Sequence, residues 1–336
     1  MNCQVPVDPL GDHPLRIGLL NNLRAGRNDA QVERLLGLLR RHPDVVHAET
    51  NSADVVPEAL ADLARQEVDL LVVNGGDGTL QYALTEILEN KAFDGRVPMI
   101  APLRGGRTNM SAADLGANKD SVRGFAALID DAQNGRLAER ISPRHVLCVR
   151  HGINREAQYG MFFGVGVIHR AIGLNHQLFE NENSHGVQGA LGASLVTAGL
   201  LGRLASGDQT GILHPDKVQV MIDGEPLPSG EFFLMIASSL NRLFSRMQPF
   251  WGVGSGGVQF TTIASDAHRI PRSLLGILRG KPLPFVTEEN GYMSRNAKCV
   301  ELKLDCGFTV DGELFGPAPG CQVELSADQV VQFVRT

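Results

Sequence analysis

Val68-Asp69-Leu70-Leu71-Val72-Val73 runs without a break into Asn74-Gly75-Gly76-Asp77-Gly78-Thr79. A short apolar run bounded by turn residues reads as a buried strand, and helical spacing resumes from about Thr79 to Glu89. The units on either side repeat the theme. Upstream, Arg16–Leu20 reads as a strand, Asp29–Arg41 as a helix with Val32, Leu35, Leu36 and Leu39 on one face, Val45–Thr50 as a strand and Pro57–Arg65 as a helix. Downstream, Val97–Ala101 predicts a strand and the region near Ser121–Asn134 a helix. Strands alternating with helices imply parallel pairing, hence an α/β sheet covered on both faces.

After about Ile141 the texture changes. His145–Arg150, Gln158–Val165, Val218–Ile222, Glu231–Ala237, Val258–Ile263 and Cys299–Leu304 are short runs separated by Gly, Pro, Asp and Ser. This pattern predicts a mostly antiparallel β domain, with helical inserts at about Val187–Ala205 and Arg272–Leu278. A chain of 336 residues with 43% hydrophobic content is long enough for two cores. The expectation is therefore an α/β domain over 1–140 and a β domain over 141–325.

The order strand, Gly-Gly-Asp-Gly-Thr, helix suits nucleotide phosphates. Glycines let the backbone approach an anion closely, and the following helix offers free N–H groups and the positive end of its dipole. Asp77 is the odd member, because a carboxylate beside a triphosphate is repelled unless a cation such as Mg²⁺ lies between them. The plainer alternative is a tight turn with Asp77 as N-cap. Gly105-Gly106, within Pro102–Asn109, follows the Val97–Ala101 strand and so falls on the same sheet edge. Gly252, Gly254 and Gly257 satisfy G-x-G-x-x-G, but a strand-like run follows, which favours a loop over a dinucleotide fingerprint. His169, His176 and His185 lack metal-ligand spacing, and no G-x-S-x-G supports a hydrolase.

A net charge of −6 and a pI near 5.9 argue against a surface devoted to nucleic acid. Five scattered cysteines, without a Cys-x-x-Cys pair, fit reduced thiols in the cytoplasm. Met1–Pro14 lacks the order of a signal peptide, and the longest apolar stretch, Leu191–Leu204, is interrupted by three glycines. Any lipid would be met at a membrane surface. Arg269–Lys281 mixes cations with Ile270, Leu274, Leu275, Ile277 and Leu278, a pattern shared by interfacial helices and by helices packed with their charges solvated. Phe250 and Trp251 are candidates for an acyl-chain mouth or for core.

Val72–Leu80 (VVNGGDGTL), Pro102–Gly116 (PLRGGRTNMSAADLG), Asn21–Asn28 and Val310–Glu313 (VDGE) together resemble the diacylglycerol kinase catalytic superfamily, which includes bacterial lipid kinases, sphingosine kinases and ceramide kinases. The resemblance implies a nucleotide-binding α/β domain, a β-sandwich second domain with a cleft between them, and last residues (about 326–336) that return to the first domain. It implies ATP and Mg²⁺ as cofactors and a lipid alcohol as acceptor, either diacylglycerol or a ceramide-like or sphingoid lipid. It also implies a cytoplasmic protein touching the inner membrane face, with a homodimer allowed and no nucleic-acid partner. Carried over by position, Thr50, Gly75, Gly76, Asp77, Gly78, Thr79, Leu80, Gln81, Gly106, Arg107, Thr108 and Asn109 are the expected nucleotide contacts. Asp311 is the expected general base, joined in catalysis by Glu313 and Asp77, and Asp77 and Glu313 are the expected metal ligands.

Three departures stand out. Arg107 takes the usual threonine position and displaces Thr108, Asn22 replaces the proline of the opening loop, and Pro249–Val258 (PFWGVGSGGV) replaces an acidic loop that binds a structural Mg²⁺ in some relatives. NAD kinases share the Gly-Gly-Asp-Gly-Thr loop but follow it with a different Asn-containing block. A catalytically silent binding protein on the same fold is the remaining rival, against which the presence of both Asp77 and Asp311 speaks. Asp223-Gly224-Glu225 repeats the late tripeptide and is expected to be only a turn.

Overall fold

A computed structural model describes residues 15–24, 29–179, 211–228 and 230–336. The first part alternates as the spacing predicts: β1 (Ile17–Asn22), α1 (Asp29–Leu39), β2 (Val46–Thr50), α2 (Val56–Arg65), β3 (Leu70–Gly75), α3 (Asp77–Leu88), β4 (Met99–Arg104), a short α4 (Met110–Asp114) and α5 (Ser121–Gln133). β2, β1, β3 and β4 pair in that order, all parallel. β3 is buried along its whole length, as a strand with helices over both faces must be. Leu60 and Leu63 of α2 pack with Leu84 and Ile87 of α3 on one face. Leu35 and Leu38 of α1 pack with Phe125 and Leu128 of α5 on the other. Asn22, Thr50, Gly75 and Arg104 thereby end their strands along a single edge, where open α/β sheets hold ligands.

From Ile141 onward the strands are antiparallel: β5 (Ile141–His151), β6 (Glu156–Gly160), β7 (Phe162–Gly166), β8 (Asp216–Ile222), β9 (Glu225–Pro226), β10 (Gly230–Ser238), β11 (Val258–Ala264), β12 (Tyr292–Ala297), β13 (Cys299–Leu304), β14 (Phe308–Val310), β15 (Glu313–Phe315) and β16 (Cys321–Val334). One run of pairing is β15-β14-β7-β10-β11-β12 and another is β9-β8-β13-β16-β5-β6. Phe163, Phe260 and Phe308 from the first run meet Val220, Leu302 and Leu325 from the second in one apolar core, the packing of a β-sandwich. Two helices accompany these strands, α6 (Val167–Phe179) and α7 (Ile270–Leu278). The helix expected at Val187–Ala205, together with Met1–Pro14 and His185, lies outside the described residues.

Two features depart from the sequence reading. Gln158–Val165 looks like one strand but breaks at Met161 into β6, which pairs with β5, and β7, which pairs with β10 and β14. β16 was hidden because its register shifts between Ser326 and Gln329, which interrupts the alternation of apolar residues. Its first half pairs with β13, and at Phe333↔Ile100 it joins β4 in parallel. Asp223-Gly224-Glu225 is the turn from β8 to β9.

Candidate active site

β3 ends at Gly75, and α3 starts at Asp77 behind Gly76, an extended N-cap with no side-chain cap of its own. The second glycine pair lies directly on the first. Gly105 N–H donates to the Gly75 carbonyl at 3.2 Å. A Cβ on Gly106 would fall 2.3 Å from the Gly76 α-carbon, and one on Gly105 2.8 Å from the Gly75 nitrogen. Glycine is therefore required here for backbone to rest on backbone. The space between the loops is about 10 Å³, room for one water at most. A phosphate can meet only the outer side of this double loop.

Two side chains lock the arrangement. Asn109, at φ +52°, pairs its amide with the Gly106 backbone, accepting from N–H and donating to the carbonyl, both at 2.7 Å. Asp77 caps α4: one oxygen accepts from Ser111 N–H at 2.8 Å and the other from Met110 N–H at 3.0 Å. Burial pushes the Asp77 carboxyl up, and the Ser111 and Met110 bonds hold it down. This corrects the N-cap alternative: Asp77 does not cap its own helix, and both of its oxygens face the N-terminus of α4.

Thr79 likewise neither caps α3 nor stands free, since its hydroxyl accepts from Asn22 Nδ2 at 2.8 Å. Thr50 is 2% exposed at the end of β2, and its hydroxyl has no partner among the described residues. Asn74 donates to Asn21 at 2.8 Å beneath the loop. Leu80 and Gln81, expected among the nucleotide contacts, lie in the first turns of α3. Both are buried, Leu80 N–H donates to Gly76, and the Gln81 amide donates to Gln158 of β6 at 2.7 Å. Neither is presented at the sheet edge. Arg107 and Thr108 are exposed beside the loop.

The turn from β14 to β15 brings the late tripeptide to the same place. Asp311 holds φ +48°, donates its N–H to Phe162 O at 2.9 Å, and accepts from Met161 N–H at 2.8 Å through Oδ2. Its Oδ1 is buried without a partner. Burial raises the Asp311 carboxyl well above the usual range, with Asp77 and then Glu313 adding to the effect against the Met161 and Phe162 amides. Glu313 reaches the glycine loop itself, its Oε1 lying 2.6 Å from where a Gly78 Cβ would be. Tyr82 lines the same spot, its hydroxyl raised by burial and by the charges of Glu313 and Asp54. Phe308 and Phe315 stack at 4.7 Å across the hairpin, and His151 meets both edge-on at 5.2 and 5.0 Å.

Asp77, Asp311 and Glu313 thus converge from distant stretches of chain. Met161, Gln158 and His151 were not singled out from sequence, and Asn22 only as a departure from the opening loop of the family. The one signal for them was Gly160-Met161, since a Cβ on Gly160 would fall 2.5 Å from Asp311 Oδ2. Among the described residues, no group of three His, Cys, Asp or Glu is set to hold a metal. A magnesium ion that arrives with phosphates needs only one or two carboxylates. The Glu313 carboxylate, with no hydrogen-bond or ion-pair partner among the described residues, fits that need.

Residues 16–137 match the family model described as diacylglycerol kinase catalytic domain. This segment belongs to the diacylglycerol kinase catalytic-domain family. No curated protein matches the sequence. A Bacillus anthracis str. Sterne protein proposed to be a diacylglycerol kinase has a similar structure (TM-score 0.65, 18% identity, 96% of this chain and 95% of that one). A diacylglycerol kinase from the same organism is also similar (TM-score 0.59, 17% identity, 96% and 97% of the two chains). Yeast NADH kinase complexed with NADH follows at TM-score 0.50 and 12% identity, over 97% and 84% of the two chains. At these identities the likeness is one of fold, shared by diacylglycerol and NAD(H) kinases. The family match over residues 16–137 supports a kinase.

Proposed function

We propose that this protein is an ATP- and Mg²⁺-dependent lipid kinase that transfers the γ-phosphoryl group to a lipid hydroxyl, of diacylglycerol or of a ceramide-like or sphingoid acceptor. The observation that carries the reading is the seating of Glu313 on Gly78, which brings Asp311 to the glycine loop. In this reading residues 1–140, completed by 326–336, hold the nucleotide, and 141–325 hold the lipid.

The outer side of the Gly75–Thr79 loop receives the phosphates at the start of α3, where unbonded amides and the helix dipole favour anions. Arg107 and Thr108 stand exposed beside it to meet the same charge. Asp311 accepts the proton of the acceptor hydroxyl at Oδ1, the oxygen without a partner. A carboxyl raised by burial is a better proton acceptor than an ordinary one. Magnesium, when bound with the nucleotide, would be held by Glu313 and would neutralise charge on the phosphoryl oxygens. Asp77 holds α4 in place behind the loop.

The decisive test is Mg-ATP with labelled γ-phosphate, offered in turn diacylglycerol, monoacylglycerol, ceramide, sphingosine and NAD, followed by organic extraction. Label is expected in the organic phase with at least one lipid. Label in NAD alone sinks the lipid reading. ATP and lipid binding without transfer would leave a silent binding protein.

A further inference from the structure

Residues 240–287 carry Arg242, Arg246, Arg269, Arg272, Arg279 and Lys281 against one acid, Asp266, in a chain whose net charge is −6. All six cations are exposed, and none has an ion-pair partner among the described residues. α7 sets a buried face and two of these charges on opposite sides. At 100° per residue, Ile270, Ser273 and Ile277 share a face and are buried, with Leu274 packed beside them. Arg272, Leu275 and Arg279 share the opposite face, within a sector of about 60°. Leu275 is 59% exposed there, held out between two guanidiniums.

Neighbouring turns extend the pattern. Lys281 and the exposed Leu283 follow the helix. The preceding loop is tied to it, because Gln248 N–H donates to Leu278 O at 2.9 Å, and that loop adds Arg246 and Val253, the latter 87% exposed. We infer that the outward face of α7, with the adjoining 246–253 and 279–283 turns, is the surface on which the protein rests against an anionic lipid bilayer. This rests on the lipid-kinase reading. Cations interleaved with protruding apolar side chains match an anionic interface, which rewards both, whereas a soluble polyanion would leave Leu275 and Val253 in water.

The face is also connected to the acid that would act on a lipid hydroxyl. Met161 donates to Asp311 through its N–H, while its carbonyl accepts from Ser238 Oγ at 2.7 Å and from Ser239 N–H at 3.1 Å. The next residues, Leu240–Arg246, lead to the basic loop. Asn241 N–H donates on the way to Asp114, which also pairs with Arg144. Met161 thus holds both Asp311 and the end of β10 from which the chain runs on to the basic loop.

The test is sedimentation of the full chain with vesicles of phosphatidylcholine alone or of equimolar phosphatidylcholine and phosphatidylglycerol. The protein should pellet only with the anionic vesicles, and salt should release it. Arg272→Ala and Arg279→Ala should each weaken partitioning about fivefold. Leu275→Ser should weaken it on the same vesicles, and all three variants should melt as the wild type does. Phosphorylation of a short-chain, water-soluble acceptor is followed in parallel and should be unchanged in the three variants. Failure of wild type to pellet, or equal pelleting of the variants, overturns the docking face. So does retention on heparin without vesicle binding. Vesicle binding without phosphorylation of any acceptor would instead remove the kinase reading and leave the surface standing.

Discussion

The Glu313 carboxylate lies against the α-carbon of Gly78, so close that a Cβ there would meet Oε1 at 2.6 Å. Gly78 is the second residue of α3, where alanine is the better helix former by up to about 1 kcal/mol. The obstructing atom is the far end of a flexible side chain, so the fold can accept the methyl group by moving Glu313. Gly78→Ala should therefore leave the melting temperature unchanged or higher while kcat falls, because the hairpin carboxylate is pushed off the loop. A drop in both melting temperature and kcat would mean that Gly78 serves the fold alone.

Asp311 occupies the left-handed region at φ +48°, which asparagine tolerates far better than alanine. Asp311→Asn keeps an acceptor for Met161 N–H and removes the proton-accepting oxygen. Turnover should fall about 100- to 10,000-fold, the usual worth of a general base, with ATP affinity retained. Single-turnover kinetics beside nucleotide titration would show this. Unchanged turnover would place proton acceptance on another group.

The contrast between the two glycine loops shows how much could be read in advance. The order strand, Gly-Gly-Asp-Gly-Thr, helix was legible because five apolar residues and three glycines each obey a local rule. That Gly105 and Gly106 serve contact with Gly75 and Gly76 was not, since it depends on how closely two non-adjacent loops approach. The same holds for Asp77. Its place at the start of the helix after the glycines was legible, but its partners Met110 and Ser111 lie in a helix of five residues that no periodicity reveals. β16 escaped for a related reason: a register shift at Ser326–Gln329 breaks the alternation that marks a strand. Local chemistry could be read from the sequence, and long-range register could not.

Gly106→Ala separates the packing role from a phosphate role. The atom it would strike is the Gly76 α-carbon, at 2.3 Å, which is backbone and cannot swing away. The expected cost is on the order of 1–3 kcal/mol, as for overpacking in a core. Each kcal/mol should lower the melting temperature by roughly 1–2 °C for a chain of this size. Loss of ATP binding without loss of stability would contradict the packing role.

The raised carboxyl of Asp311 has a thermodynamic sign. Its unfolded-state value is near 3.8, and burial with Asp77 and Glu313 raises it in the folded protein. Stability associated with its protonated form is present below the unfolded value and is lost as pH rises through the folded one. Asp311→Asn carries no such charge. The variant should therefore melt higher than wild type at neutral pH, with the gap closing as pH falls toward about 4. Melting curves of both proteins across that range would check it. A variant less stable at neutral pH would mean that the carboxylate is stabilised, not strained, where it sits.

Asp77 and Glu313 should separate in a magnesium titration. Both Asp77 oxygens are bound by the Ser111 and Met110 amides, whereas the Glu313 carboxylate has no partner among the described residues. Asp77→Asn keeps one acceptor and turns an N–H donor toward the other amide, so α4 loses part of its cap at a cost of about 1 kcal/mol. Its effect should appear as lower stability and a higher KM for ATP, with the magnesium concentration for half-maximal activity unchanged. Glu313→Gln should do the reverse, leaving stability intact and raising the magnesium requirement. If Asp77→Asn instead shifts the magnesium curve and spares the melting temperature, Asp77 leaves α4 to bind the metal during turnover, and its capping bonds belong to the resting protein only.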